Sequence, residues 1–263
     1  MAYIIAISNE KGGVAKTTTT FSLGASLVEM GKKVLLLDID PQGNLTLANG
    51  LEPGKSLQTA AEVLLDGIPL GQAIQETNLT GLKIVPSSTR MLDAEHFLPV
   101  RMNYQFMLRD GLNAIETQEF DFILIDCPPS MGAITINALT AANLLIIPTQ
   151  AEYFSAYALR DMMTIIRRTR KDTNPDLAYR ILITLLDERN RAHRAIREQL
   201  QQTFGAGLFN AVIEIDTRLR ESPIVGQSIV QYRPNSRGAQ QYRVLAQELL
   251  DYVQQQGNSQ QTR

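Results

Sequence analysis

Six apolar, β-branched runs punctuate the chain: YIIAIS (3–8), KVLLLD (33–38), LKIVP (82–86), DFILID (121–126), NLLIIP (143–148) and RILITLL (180–186). Their apolar positions are continuous rather than alternating, as expected of strands buried on both faces of a parallel sheet. Between them lie helix-compatible segments at 17–30, 88–117, 134–141, 155–171 and 191–203. Near the end, Ala239, Tyr242, Leu245, Ala246, Leu249 and Val253 recur at helical spacing. That stripe predicts a closing amphipathic helix over 237–256, and the polar residues 257–263 read as a frayed tail. Strands alternating with helices predict an α/β fold: a doubly wound, mostly parallel sheet flanked by helices, with right-handed crossovers. No repeat or linker interrupts the pattern, so residues 1–256 read as one domain.

Composition changes this picture little. The chain has 263 residues, 44% hydrophobic and 20% charged, enough for one large α/β domain or two small ones. The single Cys127 excludes an intrachain disulfide framework and a cysteine-based zinc site. No stretch approaches the roughly 20 apolar residues of a membrane span, and no basic segment leads into a signal-like apolar core. The expectation is a soluble, cytoplasmic protein. Charge adds more. Residues 1–150 carry nine basic and fifteen acidic side chains, whereas 151–263 carry sixteen and twelve, and all but Lys171 of those sixteen are arginine. A basic face for a polyanion is one reading of that asymmetry; a solvated mixed-charge surface is the other.

Three strands run directly into chemically suggestive loops: SNEKGGVAKT, DIDPQGN and DCPPSMG. In open α/β sheets, ligands bind beyond the carboxyl ends of the strands. In the first loop, Gly12 and Gly13 allow close backbone approach and Lys16-Thr17 opens a helix, the arrangement that grips phosphates with amides and a helix N-terminus. Lys16 would reach the β- and γ-phosphates, the Thr17 hydroxyl would ligate Mg²⁺, and Thr18 is the next donor. Ala15 fits where the common motif has glycine, provided its φ is negative. The second loop presents Asp38 and Asp40, with Gln42 and Asn44 behind them. The third follows a buried strand ending in Asp126, suited to Mg²⁺ directly or through water. There Pro128 and Pro129 stiffen the chain and Gly132 lets it move.

The string Lys11-Gly12-Gly13-Val14-Ala15-Lys16-Thr17 matches K-G-G-x-x-K-[ST]. It resembles the deviant Walker A motif of the ParA/MinD group of P-loop ATPases, and specifically the ParA/Soj branch. The resemblance extends through both aspartate loops, TINALTAANLLIIPTQAEYF (135–154) and SRGAQQY (236–242). It implies ATP and Mg²⁺ as cofactors, with Glu10, Lys11, Gly12, Gly13, Val14, Ala15, Lys16, Thr17 and Thr18 around the nucleotide. It implies Thr17, Asp38 and Asp126 near the metal, and Asp40 orienting the attacking water. Lys11 would act across an ATP-dependent homodimer on the partner's phosphates, as an arginine finger does. Asp216 would accept from the adenine amino group, although Glu214 stands where relatives have proline. Arg189 and Arg218, with Arg220 and Arg237 as further candidates, would contact non-specific DNA through its phosphates. The implied partner is a ParB-like or other cargo adaptor, and the implied location the nucleoid.

Two other readings share the nucleotide site. A MinD-like membrane ATPase needs a basic amphipathic C-terminal helix, and LLDYVQQQGNSQQTR carries one basic residue. A metabolic ATP-dependent ligase or reductase predicts a small-molecule pocket and no DNA affinity. His96 and His193 have no partners at metal-ligand spacing.

Overall fold

The computed structural model describes residues 2–55, 58–114, 119–152 and 155–261. One eight-stranded sheet organises them, in the order β3-β4-β2-β5-β1-β6-β7-β8. The strands are β1 (Tyr3–Ile7), β2 (Val34–Asp38), β3 (Gln75–Glu76), β4 (Leu82–Val85), β5 (Phe122–Asp126), β6 (Leu144–Gln150), β7 (Ala178–Leu186) and β8 (Leu208–Glu214). Every neighbouring pair is parallel except β3–β4. All six sequence-predicted strands are present. β3 and β8 were not foreseen: β3 is two residues long, and LFNAVIE carries Asn210 and Glu214 within an edge strand.

The helices are α1 (Lys16–Glu29), α2 (Asn44–Ala48), α3 (Ala60–Asp66), α4 (Met91–Phe97), α5 (Met107–Asn113), α6 (Ala133–Ala141), α7 (Ser155–Asp172), α8 (Arg191–Phe204), α9 (Arg218–Glu221), α10 (Ile229–Tyr232) and α11 (Arg237–Gln261). They cover both faces. Leu35, Leu37, Ile123 and Ile125 point into a core closed by α3–α7, while Leu36, Leu124, Ile5 and Ile7 point into one closed by α1 and α11. Two buried faces require both side-chain sets to be apolar, which explains the continuous runs.

Two helix expectations needed correction. The segment 88–117 divides into α4 and α5, with 3₁₀ turns at Leu98–Val100 and Tyr104–Phe106 between them. Pro99 lacks the N–H a continuing helix needs; residues 115–117 of that prediction lie outside the described residues. At the other end α11 continues to Gln261, beyond Gly257, where fraying was expected.

Candidate nucleotide-binding site

The loops after β1, β2 and β5 converge because those strands are adjacent and in register. Asp38 pairs with Asp126 across β2–β5, and Ile7 pairs with Asp126 across β1–β5. Around them opens a cavity of about 640 Å³. Its polar end is lined by Gly12, Gly13, Ala15, Lys16, Thr17, Thr18, Asp40, Gln42 and Asn44, and its far end by Phe21, Ile213, Ile215, Leu219, Pro223 and Tyr242.

Four carbonyls of the loop after β1 are occupied. Lys16 Nζ donates to the Asn9 and Lys11 carbonyls at 3.0 and 3.1 Å. Thr184 Oγ1 on β7 donates to the Val14 carbonyl at 3.0 Å, and Gln150 Nε2 to that of Gly13 at 3.3 Å. The first amides of α1 have no acceptor within the helix, so this end offers N–H groups and a positive helix terminus to an anion. Lys16 is buried, and that burial lowers its pKa, with Asp126 and Asp40 opposing the shift. Ala15 corrects the sequence expectation. It caps α1 at φ 67°, ψ 35°, in the left-handed region, so the loop keeps a glycine-type backbone with an alanine in it.

The carboxylates are arranged in depth. Asp126, fully buried, accepts from Thr17 Oγ1 at 2.7 Å and Thr20 Oγ1 at 3.2 Å. Burial, reinforced by Asp38, pushes its pKa well above the carboxylate range. Asp38, Asp40 and Asp126 thus gather with little solvent, and the Lys16 ammonium is one positive charge set against three carboxyl groups. A hydroxyl and a carboxylate form a hard, all-oxygen donor set of the kind Mg²⁺ takes, with water and phosphate completing its shell. Among the described residues, no group of three or more His, Cys, Asp or Glu side chains forms a metal cage by itself. Asp38, expected near the metal, lies opposite Asp126 on the adjacent strand and, like Asp126, has both oxygens engaged. Oδ1 accepts from the Asp40 amide at 3.2 Å, and Oδ2 from the Thr46 amide and hydroxyl at 2.8 and 2.7 Å. Burial raises its pKa to about 7 against those hydrogen bonds. It therefore ties β2 to the start of α2 and supports Asp40, which lines the cavity with Oδ1 held by the Gln42 amide at 2.9 Å.

A family model described as an AAA domain matches residues 2–179. Over 250 residues the chain is 40% identical to the sporulation initiation inhibitor protein Soj of Bacillus subtilis, covering 95% of this chain and 98% of Soj. The chain belongs to the ParA/Soj family of partition ATPases. The chromosome partitioning protein ParA of Myxococcus xanthus is 39% identical over 249 residues, 94% of this chain and 87% of that one. Among solved structures, cobyrinic acid a,c-diamide synthase from Mycobacterium smegmatis with bound ATP analogue and magnesium superposes with a TM-score of 0.83. It is 34% identical and covers 97% of this chain and 96% of that one.

The remaining residues matched to the ParA pattern are placed as follows. Lys11 is half-buried, and its Nζ donates to Gln150 Oε1 at 3.1 Å and forms an ion pair with Glu152. Glu10 is exposed beside it and Val14 is buried below. Asp216 lines the far end of the cavity, with Oδ1 accepting from the Arg218 amide at 3.1 Å and Oδ2 from the Gly238 amide at 3.0 Å. Glu214, the departure from proline, pairs with Arg237 and accepts from Gln241 Nε2 at 2.8 Å.

The four arginines do not form one equivalent set. β7 and β8 are parallel neighbours with Leu186 opposite Glu214, so the segments that follow them, bearing Arg189 and, at the start of α9, Arg218, leave the same edge of the sheet. Arg189 is 91% exposed and paired with Asp187; Arg218 is 53% exposed and 3.9 Å from Asp216. Arg189 holds the Asp187 carboxyl down at about 2. Arg237 instead bridges Glu214 and the Ile215 carbonyl, and Arg220 lines the nucleotide cavity. Sequence reasoning missed Thr20, farther along α1 itself, and Gln150, Glu152 and Thr184, which act from other elements. It also missed Leu185, a cavity residue at φ 52° beside register shifts in β7–β8. The run of four threonines after Lys16 is a local signal for Thr20; the others have none.

No described helix is long and apolar enough to cross a membrane.

Proposed function

We propose that this chain is a Mg²⁺-dependent ATPase of ParA type, one catalytic domain over 1–256 followed by a polar tail. In this reading it pairs on ATP, binds nucleoid DNA without sequence preference, and hydrolyses ATP faster when a ParB-like or other cargo adaptor engages it. The observation carrying it is the 2.7 Å contact of Thr17 with the buried Asp126, beside Lys16 at the head of α1.

Each residue then has a chemical task. The Gly12–Thr18 amides and Lys16 hold the triphosphate, Lys16 leaving its loop carbonyls for the β- and γ-oxygens. Thr17 and Asp126, with Asp38 opposite on the next strand, would hold Mg²⁺, which would supply positive charge against the triphosphate. Asp40, anchored by Asp38 and Gln42, orients the attacking water. Lys11 exchanges Glu152 for the phosphates of the second subunit, adding a cation where charge develops in the transition state. Asp216 faces the base, with its carboxylate already fixed by two amides. Arg189 and Arg218 meet DNA phosphates, and pairing doubles that surface.

Light scattering with ATP and Mg²⁺ tests the reading. Asp40→Ala accumulates dimer because hydrolysis stops after binding, and Lys11→Ala stays monomeric. A monomeric Asp40→Ala protein with nucleotide bound rejects it. The likeness to cobyrinic acid a,c-diamide synthase supports a second reading, an ATP-dependent enzyme acting on a small molecule. Under that reading ATP leaves DNA affinity unchanged.

A further inference from the structure

Helix α6 begins directly after Gly132, which has no side chain to cap it, so its first amides need an acceptor from elsewhere. Glu95 on α4 supplies one. Its Oε1 accepts from the Ala133 amide at 2.8 Å and its Oε2 from the Ile134 amide at 3.1 Å. A carboxylate also suits the positive end of a helix. Gly132 has φ −89°, a value open to any residue, so backbone freedom does not explain this glycine. Space does. A Cβ at 132 would fall 1.4 Å from Glu95 Oε1 and 2.5 Å from its Cδ.

Residues 127–132 therefore run between two anchors. At the strand end the Cys127 amide donates to the Ile7 carbonyl at 3.2 Å. At the helix end stands Glu95, with the Ser130 carbonyl also held by Thr135 Oγ1 at 2.6 Å. Between them Pro128 and Pro129 have fixed φ, and Pro129 lines the cavity. A stiff segment anchored to β1 at one end takes its placement from the other end.

We propose that Glu95 is a positioning residue for ATP hydrolysis. Through the Ala133 and Ile134 amides it sets where the loop after Asp126 stands against the nucleotide. The inference rests on the ATPase reading above.

Single-turnover hydrolysis and the affinity for a fluorescent ATP analogue, both with Mg²⁺, test it in Glu95→Gln, Gly132→Ala and the double variant. Glu95→Gln turns an NH₂ toward one of the two amides, and Gly132→Ala expels an intact carboxylate. Each should slow hydrolysis by about tenfold or more, as small misplacements at a reacting centre do, with little change in nucleotide affinity. The double variant should be no slower than the slower single one, because both break the same contact. Wild-type rates per folded molecule in Glu95→Gln, with only a lower melting temperature, assign Glu95 to stability alone and overturn the proposal. So do losses that multiply in the double variant, or a fall in affinity equal to the fall in rate. If Gly132→Ala does not fold, Glu95→Gln and Glu95→Ala decide by the same criteria. A wild-type protein that binds no ATP overturns the functional reading itself, an outcome visible before any variant is compared.

Discussion

Ala15 shows what one residue costs when a loop's shape is set by its task. An L-residue in the left-handed region is disfavoured because its Cβ crowds the following carbonyl, yet Ala15 holds φ 67° at the head of α1. Ala15→Gly should raise unfolding free energy by about 1 kcal/mol, read as a higher urea midpoint at unchanged slope, with nucleotide binding retained. Asp38 carries a second residue-scale consequence. Its folded pKa, about 7, lies above the ordinary carboxylate value of 3.8. The native state therefore holds a proton that the unfolded chain releases, and stability falls as pH rises between those values. Without nucleotide or Mg²⁺, the melting temperature should be higher at pH 6 than at pH 8. Asp38→Asn should flatten that slope, leaving the part due to Asp126. An unchanged slope assigns the dependence to other groups.

At the scale of elements, α1 is held from two sides. Gly24 lets it lie close on the sheet: a Cβ there would stand 2.8 Å from Leu36 Cδ2 and 3.3 Å from Leu124 Cδ1. On its other side Thr19 Oγ1 meets the Tyr242 hydroxyl of α11 at 3.1 Å, both groups fully buried. Tyr242→Phe leaves Thr19 without that partner and should cost about 1–2 kcal/mol, measurable by urea titration. Since Tyr242 also lines the cavity, the loss should come with weaker nucleotide affinity. The pattern of apolar runs made six strands and the α11 stripe legible, because continuous burial leaves a local trace. It did not reveal β8, whose Asn210 and Ala211 amides both bond to Glu248 of α11. Nor did it separate α4 from α5.

For the whole molecule, the charge imbalance between halves becomes a surface only through the β7–β8 pairing, which puts Arg189 and Arg218 on one edge. Each is partnered by an aspartate, so in the proposed reading DNA phosphates would compete with Asp187 and Asp216. Arg218→Glu should weaken binding to DNA of any sequence and reduce the slope of log affinity against log salt by about 1–2 per site, without preventing ATP-dependent pairing. Arg237→Glu should instead act through the Glu214 contact, as lost stability.

The sequence by itself determined the sheet's buried strands, the family, and the three loops that carry the chemistry. Those loops are contiguous strings placed directly after strands, so their residue types and spacing are local facts. The tertiary structure decided which partner each side chain meets. Thr17 and Asp126 are 109 positions apart, and Lys11 and Glu152 are 141 apart. That Asp38 meets Thr46 and the Asp40 amide, and that Arg220 lines the cavity, likewise depend on what packs opposite. Hydrogen bonds and ion pairs form between groups brought together by packing, and along the chain such groups are far apart.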